Sequence, residues 1–125
     1  MDLHHTHIFA SDIEATLAWW QKHLAAEVLF DGQLAGARNV CLAVGSGRVN
    51  IYDQAPRGGG RGAVHHLGVR VKDLGEVWPR LQADGITSPN GLREHEGWRY
   101  VMVAAPDNIL VELFEFDDPA SPFNR

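Results

Sequence analysis

Two histidines and one glutamate are the residues of this 125-residue chain best suited to metal chemistry. His5 and His66 are each the second member of a His-His pair, and they lie 61 residues apart. Glu112 stands within the apolar segment Leu110–Phe114, where an unpartnered carboxylate would be costly to bury. Two imidazoles and one carboxylate can share a divalent metal ion and leave coordination positions open for a substrate. Ordinary packing or exposure is the alternative, and the paired spacing of the histidines favours the metal.

A third histidine shares the strand-like segment that carries His5. Side chains two residues apart on a β-strand project from the same face, so His5 and His7 are expected to point the same way, and His4 the other way. If the two halves of the chain pack as pseudo-symmetric partners, His5 and His66 can meet across the symmetry axis. His7 is then a candidate for orienting a ligand or transferring a proton, with ordinary packing as the alternative.

The elements that must position these residues occur twice along the chain. Each half opens with a strand-like segment, continues with an Asp and an amphipathic helix, and ends with further strand-like segments. Asp12 and Asp73 are also 61 residues apart, which indicates a duplicated β-α-β-β-β unit. We expect a single domain made of module 1 (1–53), a Gly-rich linker (54–63), module 2 (64–116) and a loosely packed tail (117–125).

Local signals predict where these elements begin and end. Ser11 with Glu14 fits a capping box at the start of the first helix. Asp31-Gly32 is expected to be a turn between strands, and residues 93–97 are expected to form a loop. The alternation along the following strand places Arg99 in solvent.

Composition and charge exclude several classes of function. Lys and Arg number 11 against 16 Asp and Glu, a formal net charge of −5, so neither nucleic acid nor an anionic membrane is an expected partner. The single Cys41 cannot form an internal disulfide, which favours a reducing compartment such as the cytoplasm. The N-terminal residues lack the basic and apolar regions of a signal peptide, and no apolar run approaches the about 18 residues that span a bilayer. A small-molecule substrate is the expected partner.

Three segments of the chain resemble the vicinal oxygen chelate superfamily: glyoxalases, bleomycin- and fosfomycin-resistance proteins, extradiol dioxygenases and methylmalonyl-CoA epimerase. They are residues 5–12 (HTHIFASD), 66–73 (HLGVRVKD) and 105–113 (APDNILVEL), and the resemblance covers residues 3–116. Family members usually carry Asp-Pro-Asp-Gly before the last strand, where Ala105 and Asn108 replace the first and last of these residues. The difference affects a turn, since Asn also tolerates the left-handed conformation.

The resemblance implies an α+β fold in which two paired βαβββ modules form an open, cupped sheet around a metal ion. It implies that His5, His66 and Glu112 hold a divalent ion, which would be Zn, Ni, Co, Mn or Fe(II). The strand that closes module 1 commonly supplies a fourth ligand in the family. The matching position here is Asn50. A strict 61-residue offset from Glu112 falls on Ile51, so this match requires an insertion or deletion of one residue.

The chemistry implied by the resemblance is Lewis-acid stabilisation of an oxyanion. A substrate that chelates the metal through neighbouring oxygens would lose an adjacent proton and form an enolate-like intermediate, which predicts a lyase or isomerase of the glyoxalase type. Glu112, Asn50 and His7 are the candidate catalytic residues, and Tyr100 and Met102 the candidate substrate-binding residues. An Fe(II) ring-cleaving dioxygenase and a bleomycin-resistance-like binding protein are the alternatives. A homodimer is expected, because such modules expose sheet edges.

Overall fold

A computed structural model describes residues 3–58 and 64–124 of the chain. Within these residues two helices and eight strands follow the duplicated order β-α-β-β-β. The elements of the first half are β1 (Thr6–Phe9), α1 (Ile13–Leu24), β2 (Glu27–Leu34), β3 (Ala37–Val44) and β4 (Gly47–Tyr52). Those of the second half are β5 (Leu67–Arg70), α2 (Leu74–Ala83), β6 (Arg93–His95), β7 (Trp98–Ala105) and β8 (Ile109–Phe116), with short 3₁₀ turns at Pro106–Asn108 and Pro122–Asn124.

The two halves form sheets of the same topology. The strand orders are β1-β4-β3-β2 and β5-β8-β7-β6, and in each sheet the first strand runs parallel to the last. This confirms the predicted α+β fold of two βαβββ modules. The chain divides into two compact units, Met1–Gly60 with Ala105–Asp107, and Arg61–Ala104 with Asn108–Arg125. Part of the predicted linker, residues 59–63, lies outside the described residues. The organisation of the two modules as a single domain stays a prediction.

The first unit buries one face of its sheet against α1. Ile13, Leu17 and Trp20 recur at helical spacing and are all buried. The strand residues buried with them alternate along β1, β3 and β4: Ile8, Val40, Leu42, Val49 and Ile51. Because neighbouring side chains on a strand project to opposite faces, His7 and Asn50 lie on the other face, which we call the open face of the first sheet.

The start of α1 differs by one residue from the predicted capping box. Asp12, not Ser11, is the N-cap: its carboxylate accepts a hydrogen bond of 3.0 Å from the backbone N–H of Ala15. Ser11 donates instead from its backbone N–H and its hydroxyl group to the carboxylate of Asp107. Asp73 caps α2 as Asp12 caps α1. The duplicated Asp therefore begins each helix.

The predicted turn at Asp31-Gly32 is wrong, because β2 continues through both residues. The chain turns instead at Ala35 and Gly36, whose φ angles of 50° and 80° are both positive, as a tight hairpin turn requires. The carboxylate of Asp31 binds the guanidinium of Arg38, which also pairs with Glu14 on α1. Asp31 is thus an ion-pair residue of the β2–β3 hairpin rather than a turn residue.

The second unit repeats the arrangement of the first. Leu74, Trp78 and Leu81 of α2 are buried. The strand residues buried with them are 0–1% exposed and alternate along β7 and β8: Val101, Val103, Val111 and Leu113. The side chains between them define the open face of the second sheet: Tyr100, Met102, Glu112 and Phe114. Neither helix of the described residues is long and apolar enough to cross a membrane.

Two expectations for the hairpin of the second unit are wrong. Part of the predicted loop forms β6, which pairs with β7 so that Arg93 lies opposite Tyr100. Arg99, expected in solvent, contacts the carboxylates of Glu115 at 3.0 Å and Asp117 at 2.7 Å. These two carboxylates raise the pKa of Arg99 through hydrogen bonds. The alternation placed Arg99 on the face opposite to that of Tyr100 and Met102, where it lies, but could not show that acidic residues share this face.

The C-terminal tail is also more ordered than expected. The side chain of Asn124 donates hydrogen bonds to the backbone carbonyl oxygens of Phe116 and Asp118. The ring of Phe123 stacks on that of Phe116, with centroids 4.8 Å apart. These contacts attach the tail to the end of β8.

Candidate functional site

The strands β5 and β8 bring His66 and Glu112 together on the open face of the second sheet. The two strands are parallel neighbours with Gly68 opposite Glu112, and His66 lies two residues before Gly68. The Nε2 atom of His66 lies 3.0 Å from the Oε2 atom of Glu112. The side chains are 34% and 20% exposed respectively, so a small molecule or ion can reach both.

The separation of these two atoms suits two ligands of one metal ion. Donor atoms that each lie about 2.1 Å from an ion, at about 90° to each other, are about 3.0 Å apart. The same separation also fits a direct hydrogen bond between a protonated imidazole and a carboxylate. Gly68 keeps the space beside the pair free, because a Cβ atom there would sit 4.0 Å from Oε2 of Glu112 and 3.4 Å from the ring of Phe114.

Each candidate histidine ligand contacts the histidine that precedes it. Nδ1 of His65 lies 2.8 Å from Nδ1 of His66, and Nδ1 of His4 lies 3.0 Å from Nδ1 of His5. A hydrogen bond between two Nδ1 atoms needs one protonated and one unprotonated nitrogen, so it couples the tautomers of the two rings. A proton on Nδ1 of His66 leaves its Nε2 free to bind a metal.

Strand alternation could not reveal these paired contacts. It predicted that His4 and His5 project from opposite faces. Residues 4, 5, 65 and 66 precede β1 and β5 instead of lying within them, so their side chains are not held to that alternation. The repetition of His-His in both modules was the available signal.

His7 packs against Tyr52 on the open face of the first sheet. Their rings stack with centroids 3.7 Å apart, and the ring of His5 is 5.8 Å from that of His7. Partial burial of the imidazole lowers the pKa of His7, as does the neighbouring His5, while a hydrogen bond with Asn39 opposes the shift. The neutral form of His7 is therefore favoured, and a neutral imidazole has one ring nitrogen that can accept a proton.

Asn50 lies beside His7 in the parallel register of β1 and β4. Its Oδ1 atom is buried and has no hydrogen-bond partner among the described residues. A buried amide oxygen without a partner is costly, so an ion or a donor group placed against it would be stabilised. Asn50 therefore fits the predicted role of an additional oxygen ligand or substrate contact.

The predicted metal triad draws on both units of the chain. His66 and Glu112 belong to the second unit and His5 to the first. Within residues 3–58 and 64–124, no group of three or more His, Cys, Asp and Glu side chains is arranged to hold a metal ion. The second unit thus assembles two of the three predicted ligands, and the participation of His5 stays a prediction.

Tyr100 and Met102, predicted as pocket walls, line a cavity of about 170 Å³ in the second unit. The other lining residues lie on β6 and the segment before it: Ser88, Asn90, Gly91 and Arg93. Sequence reasoning missed Arg93 because residues 93–97 were expected to form a loop, and it assigned no role to the three residues that precede β6. Gly97, whose φ angle of 80° closes the β6–β7 turn, was the signal for a hairpin.

Comparison with known proteins identifies relatives over most of the chain. A family model described as the Glyoxalase/Bleomycin resistance protein/Dioxygenase superfamily matches residues 2–113. The crystal structure of a glyoxalase family protein from Enterococcus faecalis is similar, with 28% sequence identity, a TM-score of 0.76, and coverage of 91% of this chain and 97% of that one. No curated protein matches.

Fosfomycin resistance proteins share the fold at lower sequence identity. FosX from Listeria monocytogenes, complexed with Mn(II) and sulfate ion, is 18% identical, with a TM-score of 0.71 and coverage of 90% of each chain. FosX from Mesorhizobium loti is 19% identical, with a TM-score of 0.69 and coverage of 94% of this chain and 91% of that one.

Proposed function

Because the chain belongs to the Glyoxalase/Bleomycin resistance protein/Dioxygenase superfamily, we propose that it is a divalent-metal-dependent lyase or isomerase of the glyoxalase type. Its substrate is a small molecule that chelates the metal through neighbouring oxygen atoms. The metal ligands are His66, Glu112 and His5. The proposal depends chiefly on the contact of 3.0 Å between His66 and Glu112 on an open sheet face.

The donor atoms fit a divalent ion of the first transition row. Imidazole nitrogen suits iron, cobalt, nickel and zinc, and the 2-His-1-carboxylate set leaves coordination positions for a chelating substrate. The presence of Mn(II) in the Listeria FosX structure supports a divalent ion here. When bound, such an ion supplies Lewis-acid stabilisation of negative charge on a substrate oxygen.

The chain's own residues then position the substrate and move the proton. His7 is the first candidate base, because it lies beside Asn50 on the open face of the first sheet and a neutral imidazole has a ring nitrogen that can accept a proton. The unpartnered Oδ1 of Asn50 accepts a hydrogen bond from the substrate or ligates the ion. Glu112 is the second candidate base. Tyr100 and Met102 contact the remainder of the substrate.

Metal analysis of protein purified without added metals tests this function. Stoichiometric zinc, nickel or cobalt in the wild type, and loss of most of it in His66→Ala, is the expected result. His95→Ala is the matched control, since His95 is an exposed histidine on β6 and should leave the metal content unchanged. A chain that retains no metal, and binds none when it is added, would contradict the proposal and favour the binding protein.

An Fe(II) ring-cleaving dioxygenase is the second candidate, and one observation favours it. The position where glyoxalases have a charged fourth ligand is occupied by Asn50, which leaves two histidines and one carboxylate. Stoichiometric iron together with oxygen consumption in the presence of a catechol would support this candidate over the isomerase. Zinc, nickel or cobalt without oxygen consumption would exclude it.

A homodimer in a reducing compartment completes the proposal. Four apolar side chains of β2, the edge strand of the first sheet, are 43–55% exposed, and such edges are usually covered: Val28, Leu29, Phe30 and Leu34. The single Cys41 suits a reducing compartment such as the cytoplasm. Light scattering should give twice the chain mass of 13.8 kDa, and the mass of one chain at micromolar concentration would contradict the dimer.

A further inference from the structure

The cavity of the second unit lies against the pairing of β6 with β7. Arg93 and Tyr100 are directly opposite each other in this antiparallel pair, so their side chains project from the same face. Both line the cavity of about 170 Å³. Pockets for drug-sized ligands measure about 300–1,000 Å³, so this cavity suits a single small group rather than a whole large ligand.

Each polar side chain that lines the cavity carries at least one hydrogen-bond donor. Arg93 supplies a guanidinium, Asn90 a side-chain amide and Tyr100 a hydroxyl group. No carboxylate lines the cavity within the described part of the chain. A guanidinium with neutral donors around it matches the oxygen atoms of an anion, to which Arg binds in a bidentate manner.

The charge of Arg93 is not neutralised by the described residues, unlike that of two other arginines. Arg99 contacts the carboxylates of Glu115 and Asp117. Arg38 is likewise bound by two carboxylates. Arg93 has no ion-pair or hydrogen-bond partner in residues 3–58 and 64–124, so its five N–H donors remain available to a bound group.

Ser88 supplies an independent indication of a ligand. Its hydroxyl oxygen is buried and has no hydrogen-bond partner among the described residues, although Ser88 lines the cavity. A buried hydroxyl without a partner costs free energy, and a rotation about Cα–Cβ can turn it toward a bound group. This cost is removed when an acceptor occupies the cavity.

We propose that this cavity binds an anionic oxygen group, a phosphate, phosphonate or carboxylate, through Arg93, Ser88, Asn90 and Tyr100. The inference rests on the proposed function in one respect: it takes the anionic group to be part of the substrate. Tyr100 and Met102 lie on the same open face as Glu112, on the strand next to it. A substrate whose oxygens chelate a metal at Glu112 therefore carries a second, anionic end.

Titration of the full-length chain with inorganic phosphate in the presence of EDTA tests this site separately from the metal. Amide NMR shifts should change at residues 88–93 and 100, and they should give a saturable Kd. Sodium chloride of equal ionic strength should not reproduce the shifts. Arg93→Gln should weaken phosphate binding at least tenfold. The matched control Arg80→Gln removes the same charge from α2, outside the cavity, and should retain wild-type affinity.

A second variant separates binding from folding. Ser88→Ala should leave the urea midpoint without phosphate unchanged or raised, because it removes a buried hydroxyl that has no partner. It should still weaken phosphate binding several-fold. Loss of stability without any change in phosphate affinity would show that Ser88 has a structural role, and that outcome overturns its part in the site.

The remaining outcomes separate the possible sources of the anion and decide the proposal. Acetate binding in place of phosphate would identify a carboxylate group, and binding of both would identify a general oxyanion site. Shifts that are absent, or equally strong in Arg93→Gln, would refute the site. Since EDTA removes free metal, that refutation would leave the metal-dependent function standing. Conversely, saturable phosphate binding in a chain that takes up no metal would refute only the proposed function.

Discussion

Replacing Glu112 by Gln removes one negative charge from the candidate metal site while nearly preserving the shape of the side chain. Two unit charges 4 Å apart attract each other by about 1 kcal/mol in water, so the attraction between a carboxylate and a doubly charged ion is about 2 kcal/mol. That corresponds to an about 30-fold change in metal Kd. Glu112 is only 20% exposed and would be closer to the ion than 4 Å, so this value is a lower bound.

The assay is competition between the protein and a fluorescent chelator for Mn(II) or Zn(II). Glu112→Gln is compared with the wild type and with Glu76→Gln, which removes the same charge from an exposed position in the first turn of α2. The control should bind metal within about twofold of the wild type, because an exposed charge far from the ion is screened. Urea unfolding of each variant excludes a general loss of structure.

Equal metal affinity in Glu112→Gln and the wild type, with both proteins folded, would refute the reasoning. The contact of 3.0 Å with His66 would then be a direct ion pair and nothing more.

Three further predictions concern the first unit and its relation to the site. Asn50→Ala should reduce metal retention only modestly and Asn50→Glu should increase it, whereas His66→Ala should lose most of the metal; equal losses in the two alanine variants, measured by metal analysis, would contradict this ranking. Asp12→Ala should destabilise the chain by about 1 kcal/mol in urea unfolding, because it removes the N-cap of α1. Arg38 lowers the pKa of Asp31 by a hydrogen bond, so the native carboxyl stays charged below its ordinary pKa of 3.8. Its contribution to stability is present above that pH and is lost as the pH falls through the lowered pKa; Asp31→Asn should therefore lose less stability than the wild type in acid unfolding.

Periodic features of the sequence predicted most of the fold. The 61-residue register of His5 with His66 and of Asp12 with Asp73 is present in the printed residues, and it predicted two βαβββ modules. The two Asp residues do begin the two helices. The helices and strands of each module depend on neighbours within a few residues, because helix and strand periods determine which side chains share a face.

Features that depend on local competition were less predictable. Ser11 and Asp12 both have the chemistry of an N-cap, and the contact of Ser11 with Asp107, which is 96 residues away, decides between them. Asp31-Gly32 has the composition of a turn, but its pairing with β3 keeps both residues in a strand. In the first case a contact distant in sequence decides, and in the second the pairing with Asn39 and Val40, seven and nine residues further along the chain, outweighs the local turn preference.

The residue types and the 61-residue spacing of the histidines together predicted the candidate site, because imidazole and carboxylate are ligands that a divalent ion needs. Tertiary structure decided that His66 and Glu112, 46 residues apart, lie 3.0 Å apart at their donor atoms. It also brought Arg93 to one cavity with Tyr100 through a β6–β7 pairing that sequence reasoning missed, and Ser88, which precedes β6, lines the same cavity. The physical reason is that a strand period specifies which face a side chain occupies, whereas the distance between two side chains depends on which strands pair and in which register.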